Sequence, residues 1–183
     1  MLAFYLALLD SEEDKERIVY IYENYYSFME YCARQILKND HDIEDVVHSS
    51  MLKLIEYIDK IDFSDMNRVK SLCGVIARNK ALDHCKLKAN QNTSVEDSFV
   101  EPSCDDSNPA DIVIHNDVYE IAITAINALD DKYRDVCILK YINGLKEREI
   151  ADVLGVNIKT VNTRINRGRK ILRELLKKEK IHV

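Results

Sequence analysis

Tryptophan is absent from this chain of 183 residues, and glycine and proline are scarce, at four and two residues. So few turn-forming residues disfavour a β-rich fold and favour helices, because helix interiors exclude both residue types. No stretch is apolar for long enough to span a bilayer. Apolar residues still make up 46% of the chain, enough for one ordinary domain or two small ones. We therefore predict an all-α fold without membrane insertion.

Organised cysteine spacing is also missing. The five cysteines are scattered, with no CxxC pair and no paired Cys/His spacing. A zinc site or a disulfide framework needs closer organisation, so we expect reduced thiols in a cytoplasmic protein, with no metal and no cofactor. The apolar start, residues 1–9, has no basic flank and no small-residue cleavage site. It is interpreted as a packing segment and not as a targeting signal.

Lysine and arginine are absent from residues 93–131, which carry ten acidic residues. The net charge of −6 conceals this unevenness, since residues 1–92 carry −4, residues 93–131 carry −10 and residues 132–183 carry +8. A basic segment of that size is typical of proteins that bind a phosphate backbone.

Residues 10–92 have helical periodicity in three stretches and are predicted to form the first domain. Apolar residues recur at three- and four-residue steps over about 11–38, 40–58 and 66–88. Ser11 begins a motif like a capping box, and Asn39 can cap the second helix. Residues 63–92 hold six basic and two acidic residues, which makes the third helix basic. The second helix leaves a polar outer face of Glu44, Asp45, His48, Ser49 and Lys53.

Residues 93–112 are rich in Ser, Asn, Pro and acidic residues and hold few large apolar ones. Such a stretch cannot build a core and is predicted to be a flexible acidic linker. Residues 113–178 are predicted to form a second domain, with helices at about 113–129, 131–142, 145–154 and 157–178.

The last two of these helices form a predicted helix-turn-helix. Gly155 closes the turn where positive φ is needed, Val156 fills the corner between the helices, and Asn157 can cap the second helix. The predicted helix 157–178 offers short polar and basic side chains that can reach base edges in the major groove. These are Lys159, Thr160, Asn162, Thr163, Asn166 and Arg167. Four other basic residues of the same helix are better placed to contact phosphates: Arg164, Arg169, Lys170 and Arg173.

Two motif blocks, in this order, now point to a family. The first block comprises Ile43-Glu-Asp-Val-Val-His48, Leu52-Lys-Leu54, Ile76-Ala-Arg-Asn79 and Asp83. The second comprises Ala128-Leu-Asp-Asp-Lys-Tyr-Arg134, Ile142-Asn-Gly-Leu145, Glu149-Ile-Ala151, Leu154-Gly-Val156, Thr160-Val161, Arg164, Arg167-Gly-Arg169 and Leu172. From about residue 16 to 176, the chain resembles the extracytoplasmic-function sigma factors of the sigma-70 superfamily. It departs from their pattern at His48, where Gln is usual, and near Leu72, where an aromatic residue is common.

The resemblance implies a three- to four-helix region 2 bundle, an acidic linker and a region 4 helix-turn-helix. It implies an RNA polymerase subunit for promoter-specific initiation, with no catalytic residue. Region 2 would dock on the β′ clamp helices of the polymerase core through Asp45, His48, Ser49 and Ile55. It would contact the minus-ten element and the separated strand through Arg68, Lys70, Arg78, Asn79, Lys80, Asp83 and Lys86. Region 4 would contact the β flap and read the minus-thirty-five element through Lys159, Thr160, Asn162, Thr163, Arg164, Asn166, Arg167 and Lys170. The linker would enter the RNA exit channel, and an anti-sigma factor is a further candidate partner.

Three rival interpretations are a DNA-binding regulator, an enzyme and a purely structural adaptor, and the last of these does not explain the basic recognition helix. A helix-turn-helix regulator that never engages core polymerase would explain the second domain. It would not explain the polar outer face of the predicted helix 40–58. An enzyme could be built on His48 with Asp45 or on Cys85 with His84. Neither pair has a third orienting group nearby in sequence, and no Gly-rich phosphate loop is present.

Overall fold

The computed structural model describes residues 1–91 and 117–178, and every regular element in those two ranges is helical. The predicted all-α fold is therefore confirmed. The chain divides into two compact units, Met1–Pro109 and Ala110–Val183. The predicted linker, 93–112, lies outside the described residues, so its properties and the predicted domain limits stay predictions. Within the described residues, no helix is both long and apolar enough to cross a bilayer.

Residues 1–91 of the N-terminal unit form four α-helices and one short 3₁₀ turn, Ile58–Lys60. The α-helices are α1 (Leu2–Leu6), α2 (Glu12–Arg34), α3 (Asp40–Glu56) and α4 (Met66–Gln91). The first predicted helix was too long at its C-terminal end, because the regular bonding of α2 stops at Arg34 and a tighter turn follows to Leu37.

Side-chain caps begin α2 and α3 where the sequence predicted them. Ser11 Oγ accepts a hydrogen bond from the Asp14 backbone N–H at 3.4 Å. Asn39 Oδ1 accepts from the backbone N–H groups of His41 at 2.9 Å and Asp42 at 3.4 Å. These bonds satisfy donors that the first turn of a helix leaves free.

The three long helices of the N-terminal unit pack their apolar faces together. Ile21 and Met29 of α2, Val47 of α3, and Val69 and Ile76 of α4 are fully buried. The short α1 adds Tyr5, which is also fully buried. Tyr5 thus anchors the start of the chain, whereas Met1, Phe4 and Leu8 are exposed.

The C-terminal unit contains four α-helices and one π-helical turn, Ile138–Ile142. The α-helices are α5 (Asp117–Asn127), α6 (Asp131–Cys137), α7 (Glu147–Val153) and α8 (Ile158–Lys178). The predicted helix 131–142 is thus an α-helix that widens into a π turn. The start predicted for α7 was two residues early, because Leu145 is a buried anchor and the Lys146 N–H bonds to Glu149 Oε2 at 2.9 Å. Residues 113–116 of the predicted helix 113–129 lie outside the described residues.

The core of the C-terminal unit forms where α8 crosses α6. Val161 and Ile165 of α8 are buried beside Val136, Cys137 and Leu139. Gly168 is buried at the closest approach, since a β-carbon built there would lie 2.8 Å from Cys137 Sγ. Only a residue without a side chain lets the two helices come this close.

Candidate nucleic-acid and polymerase interfaces

The turn before α8 has the geometry that the sequence predicted. Gly155 has a φ of +60°, a backbone conformation that L side chains rarely adopt. Asn157 Oδ1 then accepts hydrogen bonds from the Thr160 backbone N–H at 2.8 Å and from Thr160 Oγ1 at 3.0 Å. The turn and the cap together fix where α8 begins, with Val161 buried and the side chains of Lys159, Asn162 and Thr163 exposed.

The outward side of α8 carries the eight residues predicted to read the upstream element. All are exposed except Thr160 and Arg164, which are half-buried. Both threonine hydroxyls already donate hydrogen bonds within the helix start. Thr160 Oγ1 donates to the Asn157 cap, and Thr163 Oγ1 donates to the Lys159 carbonyl at 2.8 Å. Their hydrogens are occupied, so these oxygens can accept a hydrogen bond and their methyl groups can contact a thymine methyl.

A basic concavity of about 380 Å³ lies on one flank of α8. Five of the predicted residues line it together, whereas Asn162, Asn166 and Lys170 do not. Lys132 and Tyr133 from the start of α6 complete the wall. Sequence reasoning missed Lys132, and its position just after the acidic segment 93–131 was the only available signal. Lys159, Thr160, Thr163, Arg164 and Arg167 are the predicted residues in the wall, beside Asn157.

The cations of α8 are available to an external anion. Among the Lys and Arg side chains of α8 up to Lys177, none forms an ion pair with another described residue. Arg169 is the one predicted phosphate ligand with a fixed internal contact, because its Nε donates to Tyr141 Oη at 3.1 Å. That hydrogen bond raises the pKa of Arg169, so its charge persists at every physiological pH.

The residues predicted to contact the minus-ten element fall into separate groups on α4. Asp83 joins Asn79 and Lys86, with Asn79 Nδ2 at 3.4 Å and Lys86 Nζ at 3.0 Å from its carboxylate oxygens. These three follow the helical spacing that places side chains on one face. Asp83 therefore orients a neutral donor and a cation on the same surface.

Arg68, Lys70 and Arg78 lie elsewhere on the same helix. Arg68 forms ion pairs with Asp62 at 3.2 Å and Asp65 at 3.4 Å, at the beginning of α4. Lys70 Nζ lies 5.1 Å from the centre of the Phe28 ring of α2. Burial raises the pKa of the Cys32 thiol on α2, and the positive charges of Arg78 and Lys70 partly oppose that rise. Lys80 is half-buried, and its side chain has no ion pair within residues 1–91 and 117–178.

The predicted docking face of α3 includes two exposed residues, Asp45 and Ser49, and two half-buried ones, His48 and Ile55. Asp45 is not paired with His48. Its Oδ2 instead lies 3.9 Å from His41 Nε2, while His48 Nδ1 lies 2.8 Å from the hydroxyl of Tyr5. The sequence contained no signal for this contact between α1 and α3.

The four residues considered for an enzyme have other contacts in the structure: Asp45 and His48 are not paired with each other, and His84 contacts α3. His84 Nε2 lies 3.2 Å from Asp42 of α3, and burial raises the pKa of the Cys85 thiol, which disfavours a nucleophilic thiolate. Burial also raises the pKa of Cys32 and of Cys137 to about 11. Within residues 1–91 and 117–178, no three His, Cys, Asp or Glu side chains cluster closely enough to hold a metal ion.

Comparison with known proteins agrees with this two-part organisation. The family "Sigma-70 region 2" matches residues 21–90, and "Sigma-70, region 4" matches residues 119–172. The chain is 30% identical over 168 residues to the ECF RNA polymerase sigma factor SigW of Bacillus subtilis (strain 168), a match that spans 87% of each protein. It is 28% identical over 147 residues to the sigma factor SigV of the same organism, spanning 80% of this chain and 83% of SigV.

A solved structure of the sigma factor RpoE in complex with the anti-sigma factor NepR from Bartonella quintana is also similar. Its sequence identity is 19%, its TM-score is 0.40, and the match covers 91% of this chain and 98% of that one.

Two helical units, one matching sigma-70 region 2 and the other a region 4 helix-turn-helix, define a transcription-initiation factor of the sigma-70 class. The chain belongs to the extracytoplasmic-function RNA polymerase sigma factors. It binds the polymerase core and directs promoter-specific initiation, and a regulator that never engages polymerase is not favoured.

Proposed function

We propose that the outward side of α8 reads the minus-thirty-five element while the basic concavity beside it holds the DNA backbone. The observation that carries this assignment is the set of cations around the concavity. Lys132, Lys159, Arg164 and Arg167 line one surface, and none has an ion pair within residues 1–91 and 117–178. Unneutralised cations on a recognition helix supply salt-dependent affinity for phosphates. Asn162 and Asn166, on the other flank, are suited to bidentate contacts with adenine.

In the N-terminal unit, α4 contacts the minus-ten element and the separated strand. Asn79, Asp83 and Lys86 offer a donor, an acceptor and a cation on one face, which suits an unstacked base next to its phosphate. Arg68, Lys70, Arg78 and Lys80 add positive charge along the same helix. Trapping bases that have left the stack needs no ATP.

The outer face of α3 docks on the β′ clamp helices, with Asp45 and Ser49 as its most accessible members. The C-terminal unit contacts the β flap, and residues 93–112 enter the RNA exit channel, because their carboxylates lack counter-charges and imitate nucleic acid. An anti-sigma factor that clamps the two units is a further partner of this proposal. The protein acts in the cytoplasm, where the polymerase is.

The base-reading and phosphate roles on α8 predict different mutant behaviour. Asn162→Ala and Thr163→Ala should each change preference among upstream elements by about 1–3 kcal/mol at the contacted base pair. Arg173→Ala should weaken binding to all sequences alike and reduce the slope of log K against log salt by about 0.9. The measurement is binding to a library of upstream elements at several salt concentrations.

Lys38→Ala is the matched control, because it removes one exposed charge from the N-terminal unit outside every proposed surface. Equal losses on every sequence from the Asn162, Thr163 and Arg173 variants would overturn the assignment of base reading.

A further inference from the structure

The helix α1 lies outside every role assigned above, yet it is firmly attached to the N-terminal unit. Five residues are too few for a helix that is stable by itself, so packing must hold it. Tyr5 supplies that packing, because its side chain is fully buried. Its hydroxyl lies 2.8 Å from His48 Nδ1 of α3, a contact between residues 43 positions apart in the chain.

The aromatic residues of α1 also surround the His48 ring. The ring centroids of Phe4 and Tyr5 lie 5.7 and 5.4 Å from that of His48. Nδ1 is therefore occupied by the phenol and the ring plane is held by its neighbours. Nε2 is the polar atom of the imidazole that stays available to a partner.

The hydrogen bond with Tyr5 couples the tautomer of His48 to the phenol, because each of the two groups can donate or accept. Burial raises the pKa of Tyr5 to about 12, so the phenol stays protonated and can donate. When its O–H donates to Nδ1, the neutral imidazole must carry its own hydrogen on Nε2. His48 then presents an N–H donor beside Asp45 and Ser49, which are exposed on the same helix.

We propose that Tyr5 is a positioning residue that holds His48 as an Nε2–H donor for the polymerase core. The inference rests on the proposed function of the α3 face. It adds that α1 is part of the docking device, because the orientation of one α3 side chain depends on it. A purely structural role for the Tyr5–His48 bond would affect stability alone.

A double-mutant cycle on the full chain tests the coupling. The affinity of purified core polymerase is measured for the wild type, Tyr5→Phe, His48→Ala and the double variant. Tyr5→Phe keeps the buried ring and removes one hydrogen bond, so we expect affinity to fall about three- to tenfold. The double variant should bind no more weakly than His48→Ala, since the hydroxyl has no effect without the imidazole.

Tyr22→Phe is the matched control, since its ring lies in the same cluster, 6.2 Å from that of Tyr5, and does not bond to His48. It should leave core affinity unchanged. A second readout is the ¹H–¹⁵N NMR spectrum of the His48 ring. We expect the Nε2–H tautomer in the wild type and in Tyr22→Phe, and a tautomer mixture in Tyr5→Phe.

Asp45→Arg separates this inference from the proposed function. Loss of core binding in Asp45→Arg with full binding in Tyr5→Phe would overturn the role of Tyr5 and leave the α3 face in place. Additive losses from Tyr5→Phe and His48→Ala would also overturn it. Full core binding by Asp45→Arg would instead refute the docking face itself.

Discussion

The two units of this protein use their basic residues differently. In the N-terminal unit, Arg34 pairs with Asp40 at 2.6 Å and Lys88 pairs with Asp42 at 2.5 Å, so cations connect elements of the unit to one another. In the C-terminal unit, the cations of α8 up to Lys177 form no ion pair with another described residue. A cation with a carboxylate partner is already partly neutralised, whereas an unpaired one retains its full attraction for phosphate. Part of the positive charge in the first unit is thus tied to carboxylates of neighbouring helices, whereas the positive charge on α8 stays open to a ligand.

The most severe test of this contrast is at Asp45, an exposed charge of the N-terminal unit that does not hold the fold together. The basic side chain within 4 Å of its carboxylate is His41, whose Nε2 lies 3.9 Å away. Asp45→Arg should weaken core association about 100-fold or more, because like charges placed together at an interface cost several kcal/mol. Co-purification with core polymerase and a binding titration measure the effect.

Glu23→Arg is the matched control for that prediction. Glu23 is exposed on α2 and receives the same change of charge outside the α3 face. Both variants should unfold at the same urea concentration as the wild type. Equal losses of core binding from the two variants would mean that net charge, and not the α3 face, governs docking.

The second test compares the packing of the units at Gly168. Gly168→Ala should destabilise the C-terminal unit by about 1–3 kcal/mol, since the new β-carbon would lie 2.8 Å from Cys137 Sγ in a packed core. Hydrogen exchange resolves the two units and should report faster opening in the C-terminal one only.

Cys137→Ala provides the compensation, because it removes the sulfur that the new methyl group meets. The double variant Gly168→Ala/Cys137→Ala should be more stable than the sum of the two single changes predicts. Strict additivity would show that helix propensity, and not the close approach, makes glycine necessary here.

A smaller effect is expected at Lys132, which sharpens the contrast in charge use. Lys132→Ala should lower affinity for every promoter sequence by the same few-fold factor and reduce the salt slope by about 0.9, because it removes one phosphate contact. Lys140→Ala is a matched control in the same unit, since Lys140 already pairs with Glu147 at 3.0 Å. A change in sequence preference in Lys132→Ala would contradict its assignment to the backbone.

The smallest effect concerns the ion pairs of the N-terminal unit. A hydrogen bond from Lys88, assisted by His84, holds the pKa of Asp42 below its usual range. A lowered pKa means that this stabilisation is complete above the ordinary aspartate pKa of about 3.9 and is lost as pH falls through the lower, folded value. Urea unfolding between pH 5 and pH 2 measures the effect. The free energy of unfolding of Asp42→Asn should fall less steeply with decreasing pH than that of the wild type. Lys88→Ala should resemble it, and an unchanged acid profile in both would refute the pair's contribution.

Most of the fold could be predicted because its signals are local. The caps at Ser11, Asn39 and Asn157 and the positive φ at Gly155 depend on residues within three or four positions, and the structure has each of them. Errors occurred where a helix ends or changes type, as at the π turn Ile138–Ile142, because hydrophobic spacing fits an α-helix and a π turn nearly equally well. The predicted polymerase and DNA contacts stay predictions, since they involve partners outside this chain.

The sequence by itself determined the helical class, the helix-turn-helix and the family, because each is encoded in the spacing of neighbouring residues. Only the tertiary structure decided that Tyr5 bonds to His48, that Lys132 joins the concavity beside α8, and that Cys137 requires a glycine at position 168. Periodicity tells which side of a helix is buried, but it does not tell which distant side chain meets that side. These contacts join residues about 30 to 40 positions apart, so they exist only once the helices have packed.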